Sequence, residues 1–224
     1  MKSSFLVLTL LGATSVAKAQ TSSTNATSGG TGAIPAGTIS LGGSIGYNRQ
    51  TESQNSPIIQ RQVKVSNSSF QIAPAVGYFL ADNLAIGLDL SYMTQRTTFN
   101  PAPQGNLNAA TTLRVGPYMQ YYKILSEQFG VLGTLSGGYA RTVAPRYVGP
   151  GTVIEEKTSG VYARLTPGII FFPVPKFGIS ATIGFLGYDL TRPDNSASDF
   201  KTTSFGANFG LNQLNFGGTY FFGR

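Results

Sequence analysis

Bulky apolar side chains recur at every second position along stretch after stretch of this chain, with Gly, Ser, Thr or Ala between them. Ile39, Leu41, Ile45 and Tyr47 alternate with Thr38, Ser40, Gly42, Ser44, Gly46 and Asn48, and Leu84, Ile86, Leu88, Leu90 and Tyr92 alternate with Ala85, Gly87, Asp89 and Ser91. A period of two is that of a β-strand, whose successive side chains leave on opposite faces. One large apolar face and one small, polar face suit lipid outside and a narrow polar interior, a barrel with the usual inside and outside exchanged.

The pattern predicts an all-β fold, an eight-stranded antiparallel up-and-down transmembrane β-barrel. Its strands run over Gly37–Gln50, Val63–Phe79, Leu84–Phe99, Leu107–Tyr122, Phe129–Val143, Lys157–Phe172, Phe177–Leu190 and Thr203–Phe222. Short connections (80–83, 123–128, 173–176) alternate with longer ones (51–62, 100–106, 144–156, 191–202), as short periplasmic turns alternate with long outer loops in bacterial barrels. The apolar tracts, such as Phe70–Tyr78 and Val161–Phe171, have the roughly 9 to 11 residues that a tilted strand needs to cross the hydrocarbon layer. Aromatics fall at the tract ends and predict two girdles at headgroup depth. Tyr78, Tyr121, Phe129, Phe171, Phe177, Tyr220 and Phe222 belong to one, and Tyr47, Phe70, Tyr92, Tyr139, Phe185 and Phe205 to the other.

Two features strain the pattern. Pro74, Pro117 and Pro167 lie inside strands, on the outward phase, where the missing N–H predicts bulges. In the last strand, Phe205, Ala207, Phe209 and Leu211 share one phase while Leu214, Phe216, Gly218, Tyr220 and Phe222 share the other. A bulge near Asn212-Gln213 keeps it a single strand, whereas a turn there adds a ninth.

Charged residues make up only 11% of the chain, too few for a water-facing surface of this size. The longest apolar run, Phe5–Val16, is too short to span a bilayer, follows Lys2 and precedes Ala17-Lys18-Ala19, so residues 1–19 read as a cleaved secretory signal peptide. Residues 20–36, rich in Ser, Thr and Gly at the start, read as a flexible tether, and 37–224 as the barrel. The formal charge of +7 falls by two on loss of the signal, and the basic residues are scattered rather than clustered, which argues against nucleic acid. With no cysteine, disulfides and thiolate metal sites are excluded.

Inside the barrel the inward phase carries small residues, bulky fillers (Phe79, Met93, Tyr118, Leu132, Tyr162, Ile170, Tyr188) and three charges, Asp89, Arg114 and Arg164. An eight-stranded lumen is just wide enough for side chains to fill, so buried charges there need partners. The expectation is a polar cluster in which Asp89 pairs with one or both arginines and the Tyr118 and Tyr162 hydroxyls complete it; the alternative is a charged constriction that passes small ions. No histidine is present, which removes the usual proton-transfer group of barrel hydrolases, so no catalysis, no metal and no cofactor is expected. Asp194, Asp199 and Glu155-Glu156 read as solvated loop charges rather than a Ca²⁺ site. Arg146 and Tyr147, in a loop framed by Pro and Gly, form the expected contact patch.

With its strand count, loop alternation, leader and closing segment Leu214-Asn215-Phe216-Gly217-Gly218-Thr219-Tyr220-Phe221-Phe222, the mature chain resembles the small outer-membrane β-barrel family that includes OmpA-, OmpX- and OmpW-like proteins. The resemblance implies a Gram-negative outer-membrane location, insertion by the barrel-assembly machinery reading the terminal aromatic Phe222, and contact with outer-membrane lipid and lipopolysaccharide. It implies a monomer with a structural or surface-interaction role through its extracellular loops, or, by likeness to the OmpW-like branch, a narrow channel for small or apolar solutes. A soluble lipid-binding barrel would need the charged exterior that this chain lacks.

Overall fold

The computed structural model describes residues 32–56, 61–100, 107–149, 152–194 and 201–224; the expected signal peptide, residues 20–31 of the expected tether, and Asp199 lie outside them. The described residues form ten strand segments: β1 (Ile39–Ser56), β2 (Arg61–Ala81), β3 (Leu84–Asn100), β4 (Ala110–Ile124), β5 (Phe129–Gly149), β6 (Thr152–Val174), β7 (Phe177–Ile183), β8 (Phe185–Pro193), β9 (Thr202–Asn208) and β10 (Leu214–Phe222). Every pairing is antiparallel, and the order β5-β4-β3-β2-β1-β10-β7-β6 returns to β5, closing a ring of eight. Segments β7 and β8 together form the seventh stave of this ring, and β9 and β10 the eighth.

The exterior is apolar. Leu88 is 59% and Ile183 38% exposed, and their phase-mates from Ile39 to Phe222 share that face, while the intervening Gly, Ser and Thr turn inward. In water such a surface would be unstable; in lipid it removes the apolar face from water while the closed ladder satisfies the peptide groups.

Two of the three prolines behave differently from expectation. Gly43↔Pro74 and Leu88↔Pro117 hold their place in a register unshifted on both sides, whereas Pro167, in register with Gly133 on one side, faces one added residue on the other. Each proline points outward and has no N–H to give to the ladder, and only the wall beside Pro167 is bulged.

The extra residue sits at Gly184, across from Pro167. Gly168 pairs with Thr182 while Leu165 pairs with Leu186, so one residue is added between them, and Gly184 has a φ of +65° that suits glycine. This reverses the phase of everything beyond it. Tyr188, expected in the lumen, faces out; Phe185, expected in the outer girdle, faces in; and Asp189 becomes a lumen residue. Beside this kink the neighbouring stave is broken by a 3-10 turn at Leu211–Gln213, and the Gly184 N–H points to the Gln213 carbonyl at 3.4 Å. The turn adds no ninth stave, because β9 and β10 run along the same neighbour.

Two expected loops are largely ladder. The β1–β2 pairing continues to Ser56↔Arg61 and the β5–β6 pairing to Gly149↔Thr152, so the described parts of the expected 51–62 and 144–156 loops are paired strand that rises past the apolar belt. Once both faces of a strand are wet, polar residues occupy both phases and the period of two vanishes from the sequence, although the backbone pairing persists.

The ring is not sealed along its whole height. Among the described residues, strand β1 pairs with β10 only from Ile39↔Phe222 to Ile45↔Phe216, and neither Gly46–Ser56 nor β9 has a strand partner on the facing side. A seam therefore opens between β1 and β9 toward the hairpin end.

Candidate functional site

The strands β2, β4, β6 and β10 all run down to the short-turn end, and each delivers one aromatic residue into the lumen there: Phe79, Tyr122, Phe172 and Phe221. Their rings pack at 5.6 to 6.0 Å between centroids, a range in which aromatic pairs attract. Each donates its backbone N–H to a carbonyl at a short turn or strand start, Thr38, Asn83, Gln128 and Lys176 respectively, at 2.8 or 2.9 Å. Ile34 fills the mouth from below, fully buried, with its N–H on the Asn83 side chain and its carbonyl accepting from the Asn83 N–H, both at 2.9 Å. Arg224 lies 3.9 Å over the Phe172 ring and donates to the Gly32 carbonyl. Gly32 to Ala36, within the expected tether, are thereby held against the barrel end, which is filled by an aromatic plug.

Above the plug lies a cavity of about 360 Å³. Asp89, Arg114, Tyr118, Tyr162 and Arg164 all line it, so the five expected lumen residues are brought together. Tyr118 lies flat against β2 and β3, where a Cβ at Gly87 would come within 2.7 Å of its ring; the lumen is filled here because glycine lets it be. The Tyr162 ring stands between the two guanidiniums, 5.8 Å from Arg114 and 5.9 Å from Arg164.

The ion pairing differs from expectation. Arg164 meets Asp189 at 3.4 Å, and stacks on Phe185 at 4.1 Å, both of them side chains that the Gly184 kink turns inward. Among the described residues Asp89 has no ion pair. It lies opposite Gly116, while Arg114 lies opposite Ser91, so the two charges sit on a diagonal of the β3–β4 ladder, and they form no ion pair. Asp89 Oδ1, Arg114 Nε, Tyr162 OH and Arg164 Nε are buried without a protein partner around the cavity. These groups can bind a polar ligand or water by charge and hydrogen bonding; among the described residues no cluster of acidic or nitrogen ligands suits a metal.

The cavity reaches the seam, since Asn208, Gln213 and Asn215 also line it. Beside the seam, Phe205 and Leu211 present the most exposed large apolar side chains among the described residues, at 74% and 82%.

Outside, Tyr47, Tyr78, Tyr92, Tyr121, Tyr139, Phe171, Phe177, Tyr220 and Phe222 all face outward at the ends of the apolar belt. Arg146 and Tyr147 lie in the β5–β6 hairpin, paired with Ile154 and Val153; Arg146 reaches Glu156 at 3.5 Å. Asp194 is tied to Ser159 at 2.6 Å and Arg141 at 3.8 Å.

A ring of eight antiparallel strands, apolar outside and polar within, decides the architecture. The chain is an eight-stranded membrane β-barrel. No protein-family model and no curated protein matches it. Among solved structures it is similar to the outer membrane protein OprG from Pseudomonas aeruginosa, at 14% identity over 86% of this chain and 99% of that chain, with a TM-score of 0.44. It is also similar to Ail, the attachment invasion locus protein of Yersinia pestis, at 14% identity over 84% of this chain and 99% of that chain, with a TM-score of 0.38.

Sequence reasoning missed Tyr122, Phe172, Phe221, Ile34 and Arg224 at the plug, and Phe185 and Asp189 in the lumen. The plug had a signal: Tyr78-Phe79, Tyr121-Tyr122, Phe171-Phe172 and Tyr220-Phe221 are adjacent aromatics, and in a strand one member of such a pair must face in. The lumen pair had none, because it depends on the kink.

Proposed function

We propose that this is a non-enzymatic outer-membrane barrel of a Gram-negative bacterium, with the short turns in the periplasm and the long hairpins outside. Its role is structural and surface-interacting, exercised through the β1–β2 and β5–β6 hairpins. The supporting observation is the aromatic plug, whose rings and Ile34 are buried together at the short-turn end. A barrel closed in this way presents a rigid outer platform rather than a pore. Planar-bilayer recording tests the reading: the wild type gives no steady conductance, while Phe79→Ala/Phe221→Ala opens one. Steady wild-type conductance that changes with Arg114→Ala/Arg164→Ala overturns it.

A second reading, a narrow channel for small or apolar solutes, draws support from the seam. With the lumen floor closed, the gap between β1 and β9 gives a solute entering from outside a lateral exit toward lipid. Solute uptake without ion conductance, unaffected by opening the plug, is its signature.

A further inference from the structure

Just beyond the outer girdle, cross-strand register aligns Arg49 on β1 with Ser68 on β2, and Ser68 with Arg96 on β3. All three lie on the outward phase, with Arg49 two residues past Tyr47 and Ser68 two residues from Phe70. Adjacent strands stand about 4.8 Å apart, so the two arginines flank one hydroxyl across roughly 10 Å of wall, a span their long side chains can close on a shared anion. Among the described residues neither guanidinium has an ion pair. The next row outward is all hydroxyl: Thr51, Ser66 and Thr98 are in register, Thr51 and Ser66 joined at 3.0 Å. From the membrane outward the surface thus offers aromatic rings, then two guanidiniums, then hydroxyls.

The opposite side of the barrel repeats the first motif with a difference. Arg141, Ser159 and Arg192 are aligned in the same way across β5, β6 and β8. There Asp194 accepts from Ser159 and pairs with Arg141, so the hydroxyl and one of the cations are already engaged.

We propose that Arg49, Ser68 and Arg96 form a binding site for the phosphate of a phosphorylated glycolipid headgroup in the outer leaflet, of the lipid A type. The guanidiniums and the serine hydroxyl take the phosphate, the Thr51–Ser66–Thr98 row takes sugar hydroxyls, and Tyr47 and Phe70 lie against the acyl boundary. This rests on the outer-membrane orientation given above, which places this row at the outer headgroup layer.

The test uses the folded full-length mature barrel in detergent, titrated with lipid A, with dephosphorylated lipid A and with inorganic phosphate, and read by native mass spectrometry. Heat-modifiable gel mobility confirms that each variant is folded. Arg49→Gln/Arg96→Gln weakens lipid A binding about tenfold or more, since two charge-assisted contacts are lost. Arg141→Gln/Arg192→Gln changes it less than about threefold because Asp194 already occupies that site. Arg49→Lys/Arg96→Lys retains part of the affinity. Dephosphorylated lipid A binds wild type and Arg49→Gln/Arg96→Gln alike. Equal lipid A affinity in wild type and Arg49→Gln/Arg96→Gln overturns the proposal, as does inorganic phosphate binding as tightly as lipid A, which marks a free-anion site. Sucrose-gradient separation of inner and outer membranes tests the orientation reading independently, because binding in detergent does not depend on where the cell puts the protein.

Discussion

The Arg164 guanidinium meets the Asp189 carboxylate at 3.4 Å, and the two share the lumen only because Gly184 shifts the phase of its strand by one residue. Both side chains are largely withdrawn from solvent, at 18% and 26% exposure, so the pair is costly to break. Asp189→Ala leaves Arg164 uncompensated and lowers stability by about 2 kcal/mol. Asp89→Ala removes a carboxylate that already lacks an ion pair and costs less than about 1 kcal/mol. Urea unfolding midpoints of the two variants, measured side by side in the same detergent, check the order.

Gly184 itself tolerates no side chain. Its φ is positive, and a Cβ would collide with the Asn208 carbonyl across the seventh and eighth staves. Gly184→Val therefore costs about 2 to 3 kcal/mol or blocks folding, through strain and the clash together. The folded fraction by heat-modifiable gel mobility reports it, with Gly206→Val as control, since a Cβ at Gly206 meets nothing.

Adjacent aromatics at the end of β10 separate plug from girdle. Phe221 is fully buried among Phe79, Tyr122 and Phe172, whereas Phe222 faces lipid. Phe221→Ala leaves a cavity in a close-packed cluster and costs about 3 to 5 kcal/mol, and Phe222→Ala less than half of that. Equilibrium unfolding of the two single variants distinguishes them.

Arg224 anchors the start of the segment ahead of β1. Arg224→Ala removes the stacking on Phe172 and the bond to Gly32, and it speeds hydrogen exchange at the Ile34 N–H several-fold, while exchange at the Val76 N–H inside β2 stays unchanged. Mass-resolved exchange of wild type and variant makes the comparison directly.

What the sequence disclosed follows from where the solvent boundary lies. Within the lipid belt, Leu88 and its phase-mates must alternate with small residues, so strand number, direction and facing were legible from period alone. Beyond the belt, at Arg146 and Tyr147, both faces are wet and the hairpin left no periodic trace. The reversal at Gly184 was hidden for another reason: Phe185 and Leu186 are both bulky, so either phase looked acceptable, and only the paired stave decides. Asp89, Arg114 and Arg164 were found because charge is rare on these strands, but their partner could not be named until the kink had turned Asp189 inward. The plug was readable in the aromatic doublets, which the girdle pattern masked by accounting for one member of each.

The most direct test of the whole account is spin-label accessibility in lipid bilayers at two neighbouring strand positions, Leu88→Cys and Asp89→Cys, in a chain that has no other cysteine. The label at Leu88 should collide freely with oxygen dissolved in the lipid and be shielded from a water-soluble nickel reagent, while the label at Asp89 should show low oxygen accessibility. The reverse pattern, or no difference between the two positions, would contradict a barrel whose apolar residues face lipid.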